Sequence, residues 1–200
     1  MSDSNADRPL RLTVVVASTR EGRLGPTIAR WLAGQARARA DVTVDVLDLA
    51  EAQLPDRLTD ERPAQVVAAS ARLSGSDGFV VVTPEYNHGY PAPLKTLIDW
   101  HTGEWRAKPV AFVSYGGVSG GLRAVEQLRQ VFAELHAVTV RDTVSVPMAW
   151  TQIDESGTPV DAARLARAAG VMLDQLAWWA EALRDARARR PYGSARAPAA

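Results

Sequence analysis

The chain has 200 residues, no cysteine, and 23 acidic residues balanced by 23 basic ones. That length fits one domain with a full core. The neutral balance gives no reason to expect nucleic acid or a membrane surface as partner, and the missing cysteine excludes disulfides, iron–sulfur clusters, thiol catalysis and zinc–thiolate sites. No apolar run reaches the roughly 20 residues a bilayer needs. Met1 to Pro9 is polar and lacks the apolar centre of a signal peptide, so a cytoplasmic location is expected.

Residues 1–9 read as a disordered N-terminal tail. Leu10 to Ala17 is a strand, followed by the loop Ser18 to Thr27 and a helix starting near Pro26, where proline suits the first turn. Val42 to Leu47 is a second strand with alternating apolar positions, and Asp48 to Arg62 reads as irregular. Pro63 to Leu73 is a helix. Phe79 to Thr83, a continuous β-branched run between Gly78 and Pro84, reads as a strand buried on both faces. Three prolines and a glycine then fix Pro84 to Pro93 as a stiff loop, and helical spacing resumes at Leu94, Leu97 and Ile98 as far as Trp100.

Lys108 to Tyr115 is a fourth strand, and Gly116 to Gly121 its turn. Leu122, Val125, Leu128, Phe132 and Leu135 recur at helical spacing. Val138 to Val146 is a fifth strand, with an interruption at Arg141-Asp142, and Pro147 to Pro159 is loop. The last helix carries Leu165, Ala169, Met172, Leu176, Trp179 and Leu183 on one stripe; Trp178 falls beside it. The basic stretch 187–200 reads as a flexible C-terminal tail, leaving residues 10–186 as one domain.

Strand and helix alternate five times without repeat or linker. That pattern predicts an α/β three-layer fold: a five-stranded parallel sheet of flavodoxin-like order 2-1-3-4-5 with helices on both faces. The loops after strands one, three and four then emerge together at the carboxyl edge, where ligands bind in such sheets. The first, Ser18 to Thr27, offers hydroxyls, Arg20, Arg23 and the N–H groups of a starting helix, the makings of a phosphate site; an ordinary capped turn with solvated arginines reads the same. The second, Pro84 to Pro93, presents rigid backbone amides of the kind that address a planar cofactor. The third, Ser114 to Gly121, is rich in glycine, so a ligand can approach its backbone. The dinucleotide fingerprint fails, because Val118 stands where the second glycine of G-x-G-x-x-G belongs, and there is no G-x-x-x-x-G-K-[S/T] loop. A phosphate site without either signature favours a mononucleotide flavin. The histidines His88, His101 and His136 are too scattered to hold a metal.

The segments Thr83-Pro84-Glu85-Tyr86-Asn87, Gly89-Tyr90-Pro91-Ala92-Pro93-Leu94-Lys95 and Ser114-Tyr115-Gly116-Gly117, with Ala17-Ser18-Thr19-Arg20 and Arg23 before them, resemble the NAD(P)H-dependent FMN reductase family over about Leu10 to Trp150. The resemblance implies FMN as cofactor and NADPH or NADH as co-substrate. Hydride would pass through bound FMN to a small-molecule acceptor such as a quinone, free flavin, azo compound or metal oxyanion, with no catalytic side chain. It also implies roles by residue. Ser18, Arg20, Arg23 and Thr27 would bind the phosphate, with Gly25 giving backbone access. Pro84, Glu85, Tyr86 and Asn87 would line the isoalloxazine, and Ser114, Gly116, Gly117 and Ser119 would close its other edge. A homodimer or homotetramer is implied as well.

Two other readings compete. A non-catalytic flavodoxin-like FMN electron carrier shares the fold, although such carriers are usually strongly acidic. Gly117-Val118-Ser119-Gly120-Gly121 also matches the G-x-S-x-G elbow of a serine hydrolase with Ser119 as nucleophile. The histidine after Ser119 is His136, on or at the end of the same predicted helix, with no strand between them to carry an acid.

Overall fold

The apolar runs become strands of 7 residues each: β1 (Leu10–Val16), β2 (Val42–Asp48), β3 (Gly78–Pro84) and β4 (Pro109–Tyr115). The computed structural model describes residues 8–154 and 156–193. Every residue of β3 and β4 is buried, as expected of strands covered on both faces. The fifth position of the sheet is filled by two short pieces, β5 (Val138–Thr139) and β6 (Val144–Val146), both parallel to β4. The order is β2-β1-β3-β4-β5, with β6 beside β4. The break falls at the expected Arg141-Asp142. There the Arg129 guanidinium donates to the carbonyls of Val140 (2.7 Å) and Arg141 (2.9 Å), taking the place of a neighbouring strand. At the opposite edge Arg72 holds the Asp45 carboxylate (2.7 Å) and the Val46 carbonyl (2.5 Å) of β2.

Among the described residues there are seven helices, α1 (Gly25–Arg37), α2 (Leu49–Ala52), α3 (Ala64–Ser74), α4 (Ala92–Trp100) and α5 (Leu122–Glu134) between strands and α6 (Ala149–Gln152) and α7 (Ala162–Arg189) after the last. Alternation along the strands divides the core in two. Leu12, Val14, Val16, Val80, Val82, Val113 and Tyr115 face α1 and α7. Val15, Phe79, Val81, Val110 and Phe112 face α3, α4 and α5.

The structure departs from the sequence reading in five places. The segment after β2 opens with the helical turn α2, whose N-terminus is capped by Asp48 accepting from the Ala50 N–H at 3.0 Å. The segment before α7 holds the second short turn, α6. Helix α7 runs past the expected domain end at residue 186 to Arg189, because Arg187 is not a solvated tail residue: it donates to the Ala107 carbonyl and lies 3.8 Å from Asp77. Trp179 was expected in the core stripe, yet it is 37% exposed and Trp178 62% exposed, while the smaller Ala177 and Ala180 face the sheet. Of the two expected tails, residues 1–7 and 194–200 lie outside the described residues. Arg8, assigned to the first tail, is held by the Asp77 carboxylate at 2.7 and 3.0 Å.

Lys108, at the entrance to β4, is buried and donates to the carbonyls of Leu73 (2.8 Å) and Ser74 (3.1 Å) at the end of α3. Burial, helped by Arg187 and opposed by Asp77 and Glu104, lowers its pKa to about 8. Between pH 8 and the ordinary lysine value near 10.4 the unfolded chain therefore binds more protons than the folded one, so stability should rise with pH across that window. The rise should reach roughly 2–3 kcal/mol, because each pH step of one within the window adds about 1.4 kcal/mol. Urea unfolding at pH 7.5 and 9.5 should register it in the wild type and lose it in Lys108→Met; an equal rise in both proteins would assign it to another group.

Candidate functional site

The three loops after β1, β3 and β4 meet at the carboxyl edge of the sheet. The first carries its charge in two different ways. Arg23 forms a bidentate ion pair with Asp48 at the end of β2 (2.7 and 2.9 Å) and donates to the Ser18 carbonyl at 2.8 Å. Its hydrogen bond to Asp48 is the main reason its pKa is raised, so it stays charged but is already spent on the protein. Arg20 is exposed, with its guanidinium 5.6 Å from the centroid of the Tyr86 ring in the second loop. Helix α1 starts beside it without a side-chain cap or an acidic residue in its first turn, and the N–H groups of Gly25 and Thr27 take no partner among the described residues. Thr27 is half-buried in that turn, packed against Gly157, whose added Cβ would come within 2.8 Å of its methyl group.

Ser18 points inward. It is completely buried, and its Oγ accepts from the Tyr115 hydroxyl at 3.0 Å. Gly25 lies directly over this pair: a Cβ there would be 2.4 Å from Ser18 Oγ and 2.9 Å from the Tyr115 oxygen. Glycine at position 25 thus lets the helix start sit on the hydroxyl pair, and Ser18 acts as a strut under the loop.

The second loop folds back on itself. Tyr86 and Gly89 exchange both backbone hydrogen bonds (2.9 and 3.1 Å) around Asn87 (φ 49°) and His88 (φ 75°), the signature of a two-residue type I′ turn. Pro84 ends β3 and is buried; the Glu85 N–H donates to the Tyr115 carbonyl at 3.1 Å. The Glu85 carboxylate accepts from the Arg123 N–H at 3.1 Å and pairs with the Arg123 guanidinium at 2.6 Å, capping the start of α5. Arg123 also reaches His88 Nδ1 at 3.0 Å. The carboxylate is therefore committed to the scaffold, and what the loop presents outward is the Tyr86 ring and the N–H groups of Asn87 and His88.

In the third loop the two serines are braces. Ser114 is buried and donates to the Gly120 carbonyl at 2.8 Å, and Ser119 Oγ accepts the Gly121 N–H at 3.4 Å. Ser114 therefore does not face the site, because its hydroxyl is consumed in closing the turn. Gly116 donates to Val146 (3.3 Å), while the Gly116 and Gly117 carbonyls accept from Ala149 (3.1 Å) and Met148 (2.9 Å). The N–H groups of Gly117 and Val118 take no part in this pattern among the described residues. Around them the side chains of Val118, Leu122, Met148 and Trp150 are exposed. The hydrolase arrangement is missing: α5 separates Ser119 from His136 by its full length, about 20 Å at 1.5 Å per residue, and His136 Nδ1 instead meets Tyr192.

Of the residues expected here, Arg20, Gly25, Thr27, Tyr86, Asn87, Gly116 and Gly117 come together at the open edge. Pro84 and Glu85 support it from below, and Ser18, Arg23, Ser114 and Ser119 brace the loops. Tyr115, Asp48 and Arg123 are additions that the sequence reading missed. The strand alternation that buries Val113 toward α1 puts Tyr115 on the same face, and this signal was available.

A parallel sheet in flavodoxin-like order that gathers an uncapped helix start, a cation and two amide-bearing loops at one edge has the form of a mononucleotide-binding α/β protein. Comparison with known proteins makes this specific. The chain belongs to the NADPH-dependent FMN reductase family, whose model matches residues 10–151. It is 33% identical over 150 residues to an NAD(P)H-dependent FMN reductase of Schizosaccharomyces pombe, covering 68% of this chain and 74% of that one. It is also 33% identical over 139 residues to the quinone reductase of Escherichia coli, covering 66% and 73%. Among solved structures, a flavoenzyme NAD(P)H:(acceptor) oxidoreductase of Paracoccus denitrificans superposes with a TM-score of 0.72 at 25% identity, over 86% of this chain and 98% of that one. This family membership decides for the enzyme over the electron carrier. A flavodoxin from Pseudomonas aeruginosa shares the fold, at a TM-score of 0.52 and 21% identity.

Proposed function

We propose that the three loops hold one FMN and that the enzyme passes hydride from NADPH or NADH through it to a small-molecule acceptor, with a quinone as the acceptor class best supported by the relatives. The observation that carries the reading is the meeting of an uncapped α1 start and exposed Arg20 with the stiff turn at Tyr86, so that an anion and a flat ring fit side by side. The donor set fits FMN. Arg20, the Thr27 hydroxyl and the N–H groups of Gly25 and Thr27 suit a phosphate. Backbone amides of Asn87, Gly117 and Val118 suit the polar edge of the ring. The first loop gathers donors for a single phosphate, and the dinucleotide fingerprint is absent, which favours FMN over FAD.

When bound, FMN supplies the chemistry, accepting hydride from the nicotinamide and returning electrons to the acceptor. The chain's own residues do the rest. The N–H groups of Gly117 and Val118, without partners among the described residues, would offer fixed dipoles to a bound flavin ring and would favour negative charge on it. The I′ turn, held by its paired backbone bonds and by Gln127 donating to the His88 carbonyl at 3.0 Å, keeps its amides from reorganising during turnover. No acid or base is needed. The exposed Val118, Leu122, Met148 and Trp150 beside the third loop support a homodimer or homotetramer. No helix among the described residues is long and apolar enough to cross a membrane, and a cytoplasmic location accords with the absence of cysteine.

Purified apoprotein titrated with FMN, FAD and riboflavin should bind FMN most tightly. The FMN complex should bleach with NADPH or NADH under anaerobic conditions and recover its absorbance on adding a benzoquinone. Tighter binding of FAD, or a spectrum indifferent to both nicotinamides, would overturn the reading.

A further inference from the structure

Tyr115 is bonded to the first two loops of the site and lies against the third. Its hydroxyl donates to Ser18 Oγ in the first loop at 3.0 Å, and its carbonyl accepts the Glu85 N–H of the second at 3.1 Å. Its backbone N and O lie 2.9 and 3.0 Å from the position a Cβ on Gly121 would take in the third. Tyr115 is only 6% exposed and Ser18 is fully covered, so the hydroxyl pair is sealed beneath Gly25. Of the two loop contacts that are hydrogen bonds, one uses the side chain and the other uses the backbone. Removing the hydroxyl would therefore loosen the first loop alone, with Arg23 still holding the Ser18 carbonyl.

We infer that Tyr115 is a positioning residue for the cofactor phosphate, seating the phosphate-binding loop against the ring-binding loops through its bond to Ser18. This rests on the FMN reading above. The first loop carries the phosphate donors, and its floor is Ser18, held from one side by Arg23 at the carbonyl and from the other by Tyr115 at the hydroxyl. Burial is the largest influence on the phenol and raises its pKa to about 12; the Ser18 bond, Arg20 and Arg23 oppose it and Tyr86 adds to it. The phenol thus remains a hydrogen donor at neutral pH. Ser18 Oγ is left as the acceptor, and without the phenol it would be a buried oxygen short of its partner.

Tyr115→Phe keeps the ring and the backbone carbonyl and removes only the bond. Apoprotein of Tyr115→Phe, Ser18→Ala and the double variant should be titrated with FMN and with riboflavin, following the loss of flavin fluorescence. Each single variant should bind FMN roughly two- to thirteenfold more weakly, the range for one hydrogen bond, and riboflavin within about twofold of wild type. The double variant should be no worse than the singles, because both remove the same bond. Independently of any flavin, one of the 4 tyrosines should ionise near pH 12 in an ultraviolet titration of wild type and be missing in Tyr115→Phe. Should Tyr115→Phe fail to fold, Ser18→Ala carries the flavin test. Equal losses for FMN and riboflavin would make Tyr115 a packing residue. Additive losses with Ser18→Ala much the larger would put Ser18 itself on the phosphate, and unchanged FMN affinity would also overturn the inference. Wild type that binds neither flavin would instead bring down the FMN reading, and the inference with it.

Discussion

Gly121→Ala should lower the melting temperature by about 10 °C or more. Gly121 precedes α5 at φ 83°, a left-handed conformation, which costs an L-residue roughly 1–2 kcal/mol. The added Cβ would also lie 2.7 Å from Ser114 Cβ, 2.9 Å from the Tyr115 nitrogen and 3.0 Å from its oxygen. These are strand atoms of β4 and cannot swing aside. Together the two costs amount to about 4 kcal/mol, in the range reached by backbone strain and overpacking. At roughly 2–4 °C per kcal/mol for a domain of this size, the melting shift follows. Gly117→Ala is the control. Its nearest atom would be Trp150 Cη2 at 3.8 Å, an ordinary contact. It should melt like the wild type, so any loss of FMN affinity there reports on the approach of the ring. Similar melting temperatures for Gly121→Ala and wild type would mean that the β4–α5 turn can relax.

The two arginines of the first loop should fail in opposite ways. Arg20→Ala should weaken FMN binding roughly ten- to a hundredfold, the worth of a charge-assisted hydrogen bond of about 1.5–3 kcal/mol. It should leave riboflavin binding unchanged and stability within about 0.5 kcal/mol, since its side chain is exposed. Arg23→Ala should cost stability on the order of 2–3 kcal/mol. It strands the Asp48 carboxylate, whose side chain is only 10% exposed, and frees the Ser18 carbonyl; removing one partner of a buried pair is what makes such losses large. Urea unfolding of both variants, paired with titrations of FMN and riboflavin, separates the roles. If Arg23→Ala keeps full stability and loses FMN as Arg20→Ala does, then Arg23 leaves Asp48 for the phosphate, as the sequence alone implied.

The sheet was legible because β3 and β4 are apolar on both faces and marked by Gly78, Pro84 and Pro109, while β2 showed as an alternation of apolar and polar residues. Even the break in the last strand showed as two charges in an apolar run. Helix α2 escaped because four residues are too few for a helical period; only Asp48 as a cap marked it. The end of α7 was misread because an arginine-rich end looks solvated in composition, whereas Arg187 finds Ala107 and Asp77 far away in sequence. The site divides along the same line. Motif and glycine pattern located all three loops, but not which polar groups face outward. A hydroxyl next to a strand end turns in or out according to pleat and partner, and Ser18, Ser114 and Ser119 all meet partners inside. The Arg23–Asp48 pair spans β1 and β2 and leaves no local mark, so the pattern alone read Arg23 as a second phosphate ligand.

The treatment of the two sheet margins has a consequence for how copies of this chain can meet. A parallel sheet with a free outer strand offers a row of backbone donors and acceptors to any extended segment, which is a route to unwanted fibrous growth. Here Arg72 occupies the Val46 carbonyl on one side, and Arg129 occupies the Val140 and Arg141 carbonyls on the other, where the strand is also cut into pieces of 2 and 3 residues. A second sheet pairing at either margin would have to displace these arginine contacts. Side chains on the helices and loops offer contact that requires no such displacement, and it can be made and released without recruiting the sheet.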